Sequence, residues 1–376
     1  MGPSRAPSPD APRRGRTSDQ RGVLVLLGAI LLVAAMGVAP SIVSGEPVVV
    51  DDPAADDPTT PTSAPAVERI SDPTTTLTPA GPTQVQLVAD PRPGDLRVDP
   101  NGDLLANDYE PWSGREIRRD VEYGPDPYHR YDLYLPADDG APLIVYLHSG
   151  GWIGGDRSYV PPMVLRFVEL GYAVASVEYR IAPYSTFPGP VEDVKRAIRE
   201  LKAMGVETGL IDPDRVVAYG TSAGGHLATF AAASVGEFEP TDVSPTAQAF
   251  DSSVAAVVSA VGPTDLVQMY GHPNAWAAPM TGTFMGCFPT CTPDQLLPAN
   301  PAEYLHADLP PAYWAYGALD PLVDADAQGV VIAEAWAAAG AESWLDVVEN
   351  GDHNLDGTLV NQRAIEAFLA RAIAAD

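Results

Sequence analysis

Cations are scarce in this chain: 22 Lys and Arg stand against 50 Asp and Glu, for a formal net charge of -28. That balance excludes nucleic acid as a partner, because holding a phosphate backbone requires concentrated Lys and Arg. It also repels acidic polymers and free fatty-acid products, leaving neutral molecules as the easier substrates. Cysteine is nearly absent, with Cys287 and Cys291 in Cys-Phe-Pro-Thr-Cys as the whole complement. Their spacing and surroundings exclude a thioredoxin-like redox pair, whereas a disulfide is expected if the chain is exported. There is no metal-ligand cluster, no P-loop and no dinucleotide glycine pattern, so no cofactor is expected. No internal repeat occurs.

Proline, by contrast, is abundant at 39 residues, partly because Glu46–Pro82 is rich in Pro, Thr, Ala and Asp. That stretch has almost no large apolar side chains and reads as an extended acidic tether. Before it, Val23–Ala39 is an unbroken apolar or small-residue run preceded by Arg13, Arg14, Arg16 and Arg21. Its length lies between that of a signal-peptide core and a membrane span, so cleavage near Gly45 and retention as an anchor both remain open. Retention is favoured because Ile42 and Val43 prolong the run and give the tether a purpose. The arginines keep the N-terminus inside, which places the remainder outside the cytoplasm in either case. Residues 1–45 are therefore expected to be a signal anchor or signal peptide, 46–108 a tether and lead-in, and 109–376 one domain of alternating strands and helices. That alternation indicates an α/β fold with a mostly parallel central sheet and helices on both faces.

The most informative motif is Gly220-Thr-Ser-Ala-Gly-Gly225, between the apolar strand Arg215–Tyr219 and a small-residue helix expected over Ala223–Ala233. A G-x-S-x-G turn between strand and helix exposes a serine at the top of a sheet, and it nominates Ser222 as a nucleophile. The helix behind Ser222 favours the negative charge that develops during acyl transfer. Upstream, the strand Pro142–Leu147 runs into His148-Ser-Gly-Gly-Trp152. Two glycines there let the backbone approach a substrate, so the amides of Gly150 and Gly151 could join that of Ala223 in an oxyanion site.

A serine nucleophile needs a histidine to accept its proton and an acid to orient the imidazole. Of the six histidines, His226, His272, His306 and His353 follow Ser222. His226 lies in the elbow helix and reads as a packed residue, while His272 and His306 fall in an irregular Pro-rich stretch. His353 follows the strand Ser343–Val348, where a loop at the carboxyl end of the sheet would carry it. The acid is sought one strand earlier, after Ala312–Tyr316, where Gly317-Ala-Leu-Asp-Pro places Asp320 at the same end. Asp324 and Asp326 read as helix N-terminal residues. Asp265, after the strand Val254–Val261, is the serious rival.

Between these strands, Gln268–His306 interrupts the alternation with Tyr270, Trp276, Met280, Phe284, Met285 and Phe288 among repeated Pro and Gly. It is expected to cap the site, its aromatic and Met side chains forming an acyl or alcohol pocket. A surface insertion packed on itself is the plainer alternative.

His-Ser-Gly-Gly-Trp, then Glu178-Tyr-Arg-Ile-Ala-Pro183 with Phe187-Pro188 and Glu192-Asp193, then Gly-Thr-Ser-Ala-Gly-Gly-His-Leu-Ala, resembles the α/β-hydrolase esterases of the hormone-sensitive-lipase and feruloyl-esterase-like (BD-FAE-like) groups. The resemblance covers Tyr109 to the C-terminus. It implies a carboxylic-ester hydrolase using Ser222, Asp320 and His353, with Gly150, Gly151 and Ala223 as oxyanion donors and a small-molecule ester as substrate. Ser149 departs from the usual first glycine of the oxyanion loop, and Tyr184 from the acid that often follows Ala-Pro. Two other classes remain beside it: an acyltransferase using the same triad, and a non-catalytic binding module on this fold. The second would be expected to have lost a triad member. The sequence leaves the natural ester and the oligomeric state open.

Overall fold

The strand Leu143–Leu147 sends alternate side chains into two different cores, which is how a sheet covered on both faces reads at the residue level. Leu143, Val145 and Leu147 join one apolar cluster, whereas Ile144 and Tyr146 join a second. The computed structural model describes residues 85–87, 116–355 and 362–374. The expectations for Val23–Ala39 and Glu46–Pro82 lie outside the described residues. Among the described residues no helix is long and apolar enough to cross a membrane.

The strands are β1 (Val85–Leu87), β2 (Ile117–Glu122), β3 (Arg130–Tyr134), β4 (Ala141–Leu147), β5 (Ala173–Val177), β6 (Ile211–Thr221), β7 (Ala256–Ala260), β8 (Ala312–Gly317) and β9 (Ser343–Val348). Among the described residues they form one sheet in the order β1-β9-β8-β7-β6-β4-β5-β3-β2. All neighbours from β1 to β5 along this order are parallel, and the β5–β3 and β3–β2 pairs are antiparallel.

On one face lie α2 (Gly189–Thr208), α3 (Ala223–Ala233) and α7 (Val331–Ala338), which contribute Val194, Leu227 and Trp336 to the first core. On the other lie α1 (Pro162–Glu169) and α8 (Gln362–Ala372), with Phe167 and Phe368 in the second core. Helix α3 is buried along its whole length, which explains why it is mostly Ala and Gly and lacks an amphipathic pattern. The helix expected from Asp324 begins as a π-helical turn over Ala325–Val330 before α7, with Asp324 accepting from the Ala327 amide at 2.7 Å.

The Gln268–His306 stretch is largely helical: α4 (Leu266–Gly271), α5 (Ala277–Phe284) and α6 (Pro293–Leu296) connect through short turns. Cys287 and Cys291 are joined in a disulfide.

Candidate active site

The strand β6 ends in a turn too tight for side chains on its inner positions. A Cβ at Gly220 would run into the Gly224 carbonyl, and one at Gly224 into that of Leu147. Ser222 sits at the apex with φ 53° and ψ -118°, a strained conformation for a residue with a side chain. Its amide donates to Ala260 O at 2.8 Å, so the neighbouring strand end holds the turn in place.

Two loops at the same end of the sheet meet this apex. The loop after β8 and the loop after β9 are tied together by Ala318 N to Val348 O at 2.9 Å and Leu319 N to Gly351 O at 2.8 Å. Asp320 and His353 thereby face each other, with His353 Nδ1 2.7 Å from Asp320 Oδ2. The other ring nitrogen, Nε2, lies 3.0 Å from Ser222 Oγ. Asp320 Oδ1 accepts from the Leu322 and Val323 amides at 2.8 and 3.0 Å, which fixes the carboxylate and leaves Oδ2 for the imidazole. In this chain of contacts Nδ1 carries the hydrogen and donates to Asp320, while Nε2 accepts from the serine hydroxyl.

Asp265 is not part of this group. Its side chain caps α4, accepting from the Val267 and Gln268 amides at 2.9 and 3.1 Å. His226 is buried in α3, and His272 and His306 lie in the turns flanking the cap helices.

The loop His148–Trp152 enters from β4. Gly150 has φ 129°, and a Cβ there would strike the Gly154 carbonyl, so no larger residue fits without remodelling the loop. Among the described residues no protein acceptor is paired with the amides of Gly150, Gly151 or Ala223. Free amides beside a buried serine are what an oxyanion requires.

The Glu178–Pro183 motif holds this loop. Tyr179 OH donates to His148 O at 2.7 Å, its ring stacks on His148 at 4.3 Å, and Ala182 N donates to Trp152 O at 2.7 Å. Arg180 is fixed in turn by Asp193, accepting at 2.8 Å from both the Arg180 amide and Nε. Burial acts to raise the Asp193 carboxyl, but hydrogen bonds from His129 and Arg180 outweigh it and hold it below the ordinary range. These motif residues support the loop rather than touch the reacting atoms. The supporting contacts were not legible beforehand, because they depend on how β5 sits beside β4.

A cavity of about 280 Å³ opens over Ser222 and is lined by Gly150, Gly151, Trp152, Met269, Met280, Leu322 and His353 among others. Of the cap segment only Met269 and Met280 reach it. The expectation that its aromatic side chains line the pocket is corrected here. Phe284 is buried and stacked on Trp152 at 4.7 Å, while Trp276 and Phe288 are 61% and 48% exposed. Phe284 thus packs into the core against Trp152, and Trp276 and Phe288 face solvent.

A mostly parallel sheet with a serine at a strand-to-helix apex, and His and Asp on the following loops, defines an α/β-hydrolase. The sequence model of the BD-FAE family matches residues 131–335, more than half of the chain, and the chain belongs to that family. The matched region contains Ser222 and Asp320 and ends before His353. The chain is 31% identical over 230 residues to the esterase LipQ of Mycobacterium tuberculosis, covering 59% of this chain and 53% of LipQ. It is 33% identical over 152 residues to the esterase LipC of the same organism, covering 39% of this chain and 37% of LipC. The chain thus spans about half the length, or less, of these curated relatives. Among solved structures it is similar to a bacterial heroin esterase, with 25% identity, a TM-score of 0.55, and coverage of 70% of this chain and 86% of the other. A truncated carbohydrate esterase from gut microbiota shares the fold at 23% identity, with a TM-score of 0.62 over 69% of this chain and 97% of that one.

Proposed function

We propose that this chain is a serine carboxylic-ester hydrolase that cleaves neutral, short-chain acyl esters through an acyl-enzyme intermediate, outside the cytoplasm. The observation that carries the reading is the continuous contact from Ser222 Oγ through His353 to Asp320, set beside three unpaired amides. In the proposed reaction Ser222 Oγ attacks the ester carbonyl while His353 Nε2 takes its proton. Asp320 holds the resulting imidazolium in place, and the amides of Gly150, Gly151 and Ala223 receive the oxyanion. His353 then returns the proton to the departing alkoxide, and water, activated by the same imidazole, releases the acid.

The cavity supports small esters, since about 280 Å³ falls just below the ~300–1,000 Å³ common for small-molecule sites. The disulfide supports an oxidising location, as does the Arg-flanked apolar run at Val23–Ala39, which in this reading joins the domain to a membrane. The esterases LipQ and LipC add support as relatives. The test is a series of p-nitrophenyl esters of increasing acyl length, with Ser222→Ala as control and added alcohol to measure acyl transfer. Hydrolysis that peaks at short acyl groups and disappears in the variant is expected. Predominant transfer to the alcohol would make the chain an acyltransferase instead.

A further inference from the structure

The apolar residues that line the cavity over Ser222 are Trp152, Pro263, Met269, Leu322 and Met280, and they differ in how firmly each is held. Trp152 is buried and stacked on Phe284 at 4.7 Å. Met269 is buried in the core, and Pro263 is buried with its ring closed on its own backbone. The Leu322 amide donates to Asp320 Oδ1 at 2.8 Å, which ties that residue to the acid. Met280 is the exception. It is half-buried, and its helix α5 is anchored by other side chains: Ala277, Thr281 and Phe284 are fully buried, and the Phe284 carbonyl accepts from the Phe187 amide at 2.8 Å. What Met280 touches is the oxyanion loop, since a Cβ on Gly151 would run into its sulfur. One unbranched side chain thus stands on the cavity wall between the cap and the loop that receives the oxyanion.

A thioether chain without branches fills irregular space closely, so a wall built from it fits a small substrate and leaves a larger one short of room. We propose that Met280 is a specificity-determining residue that limits the size of the ester, its Cγ, Sδ and Cε occupying space that a longer chain would otherwise fill. A cavity of about 280 Å³ is small enough for three atoms more or fewer to matter. Each methylene that gains a buried place is worth about fourfold in kcat/KM. The inference rests on the hydrolase reading above.

The test uses the full chain and measures kcat/KM along two series, p-nitrophenyl esters from acetate to hexanoate and acetates from ethyl to hexyl, so that either half of the ester reports. Met280→Ala is expected to raise the ratio of the longest to the shortest ester by about tenfold in at least one series, the worth of a few newly buried methylenes. Met280→Phe should lower the same ratio by a similar factor, and Met280→Leu, close to Met in volume, should leave it within about twofold of wild type. Melting curves check that each variant folds; were Met280→Ala to fail, the opposite shift in Met280→Phe decides. Ratios unchanged in both series, or a fall shared equally by short and long esters, would overturn the size limit. Wild-type protein that hydrolyses no member of either series would overturn the hydrolase reading with it, whereas active wild type whose ratios the variants do not move overturns the size limit alone.

Discussion

The indole Nε1 of Trp152 donates to His226 Nδ1 at 3.2 Å, tying the oxyanion loop to the helix behind the serine. His226 Nε2 in turn donates to Ala299 O at 2.8 Å, in the cap segment. One neutral imidazole, with its hydrogen on Nε2, thus joins three segments around the site. A protonated ring could not serve, because Nδ1–H would face the indole N–H.

Acid should loosen that junction. Burial pulls the His226 pKa from 6.5 down to about 4, although the bond to Ala299 acts in the other direction. Between these values the unfolded chain binds a proton that the folded chain refuses, so stability falls as pH drops from about 6.5 to about 4 and levels off below. The loss from this group is on the order of 3 kcal/mol. Urea unfolding of wild type and His226→Gln across that range checks it, and the difference between the two proteins should shrink toward low pH. A constant difference would show that His226 is not held neutral.

Asp320→Asn should lower kcat by about 10⁴, since an amide cannot hold the imidazole in the required tautomer. Asp265→Asn should keep both activity and stability, because Asn caps a helix about as well as Asp. Asp265→Ala should cost about 1 kcal/mol in stability and little in kcat. Steady-state rates and thermal melts of the three variants separate capping from catalysis.

Gly150→Ala should damage the reaction more than the fold. At φ 129° a Cβ meets the Gly154 carbonyl, so the loop must move and its amides with it. A fall in kcat of about 10²–10³ is expected, comparable to loss of an oxyanion donor. Slower labelling of Ser222 by a small organophosphonate should accompany it. Unchanged labelling with an intact fold would remove Gly150 from the oxyanion site.

The cystine should act on stability rather than on substrate choice. Phe288, which it encloses, is 48% exposed and outside the cavity lining. Closing so short a loop, with a sequence separation of 4, should contribute about 2 kcal/mol by chain entropy. A double Cys→Ser variant should melt earlier while KM changes by less than about twofold. A large KM change at unaltered melting temperature would return the cystine loop to the substrate pocket.

The elbow was legible in sequence because its requirements are local: an apolar strand, two glycines around a serine, and a small-residue helix. His353 and Asp320 were legible through chain order, since each follows a strand whose carboxyl end faces the serine. Asp265 could be set aside only with the structure, where its oxygen is seen capping α4. The start of β6 at Ile211 was missed because Asp212 and Pro213 do not read as strand. The placement of Met280 against Gly151 depends on how the cap folds back, and no local pattern encodes that. The support of the oxyanion loop by Tyr179 and Ala182 is likewise a matter of neighbouring strands.

The most direct test of the account is the mass of the protein quenched in acid within the first turnovers on p-nitrophenyl acetate. A single added acetyl group, mapped to the peptide carrying Ser222 and absent in Ser222→Ala, is predicted. Turnover in the variant should fall by about 10⁶ while its melting curve stays that of a folded protein. An acetyl group on another residue, or near-wild-type hydrolysis by folded Ser222→Ala, would contradict it.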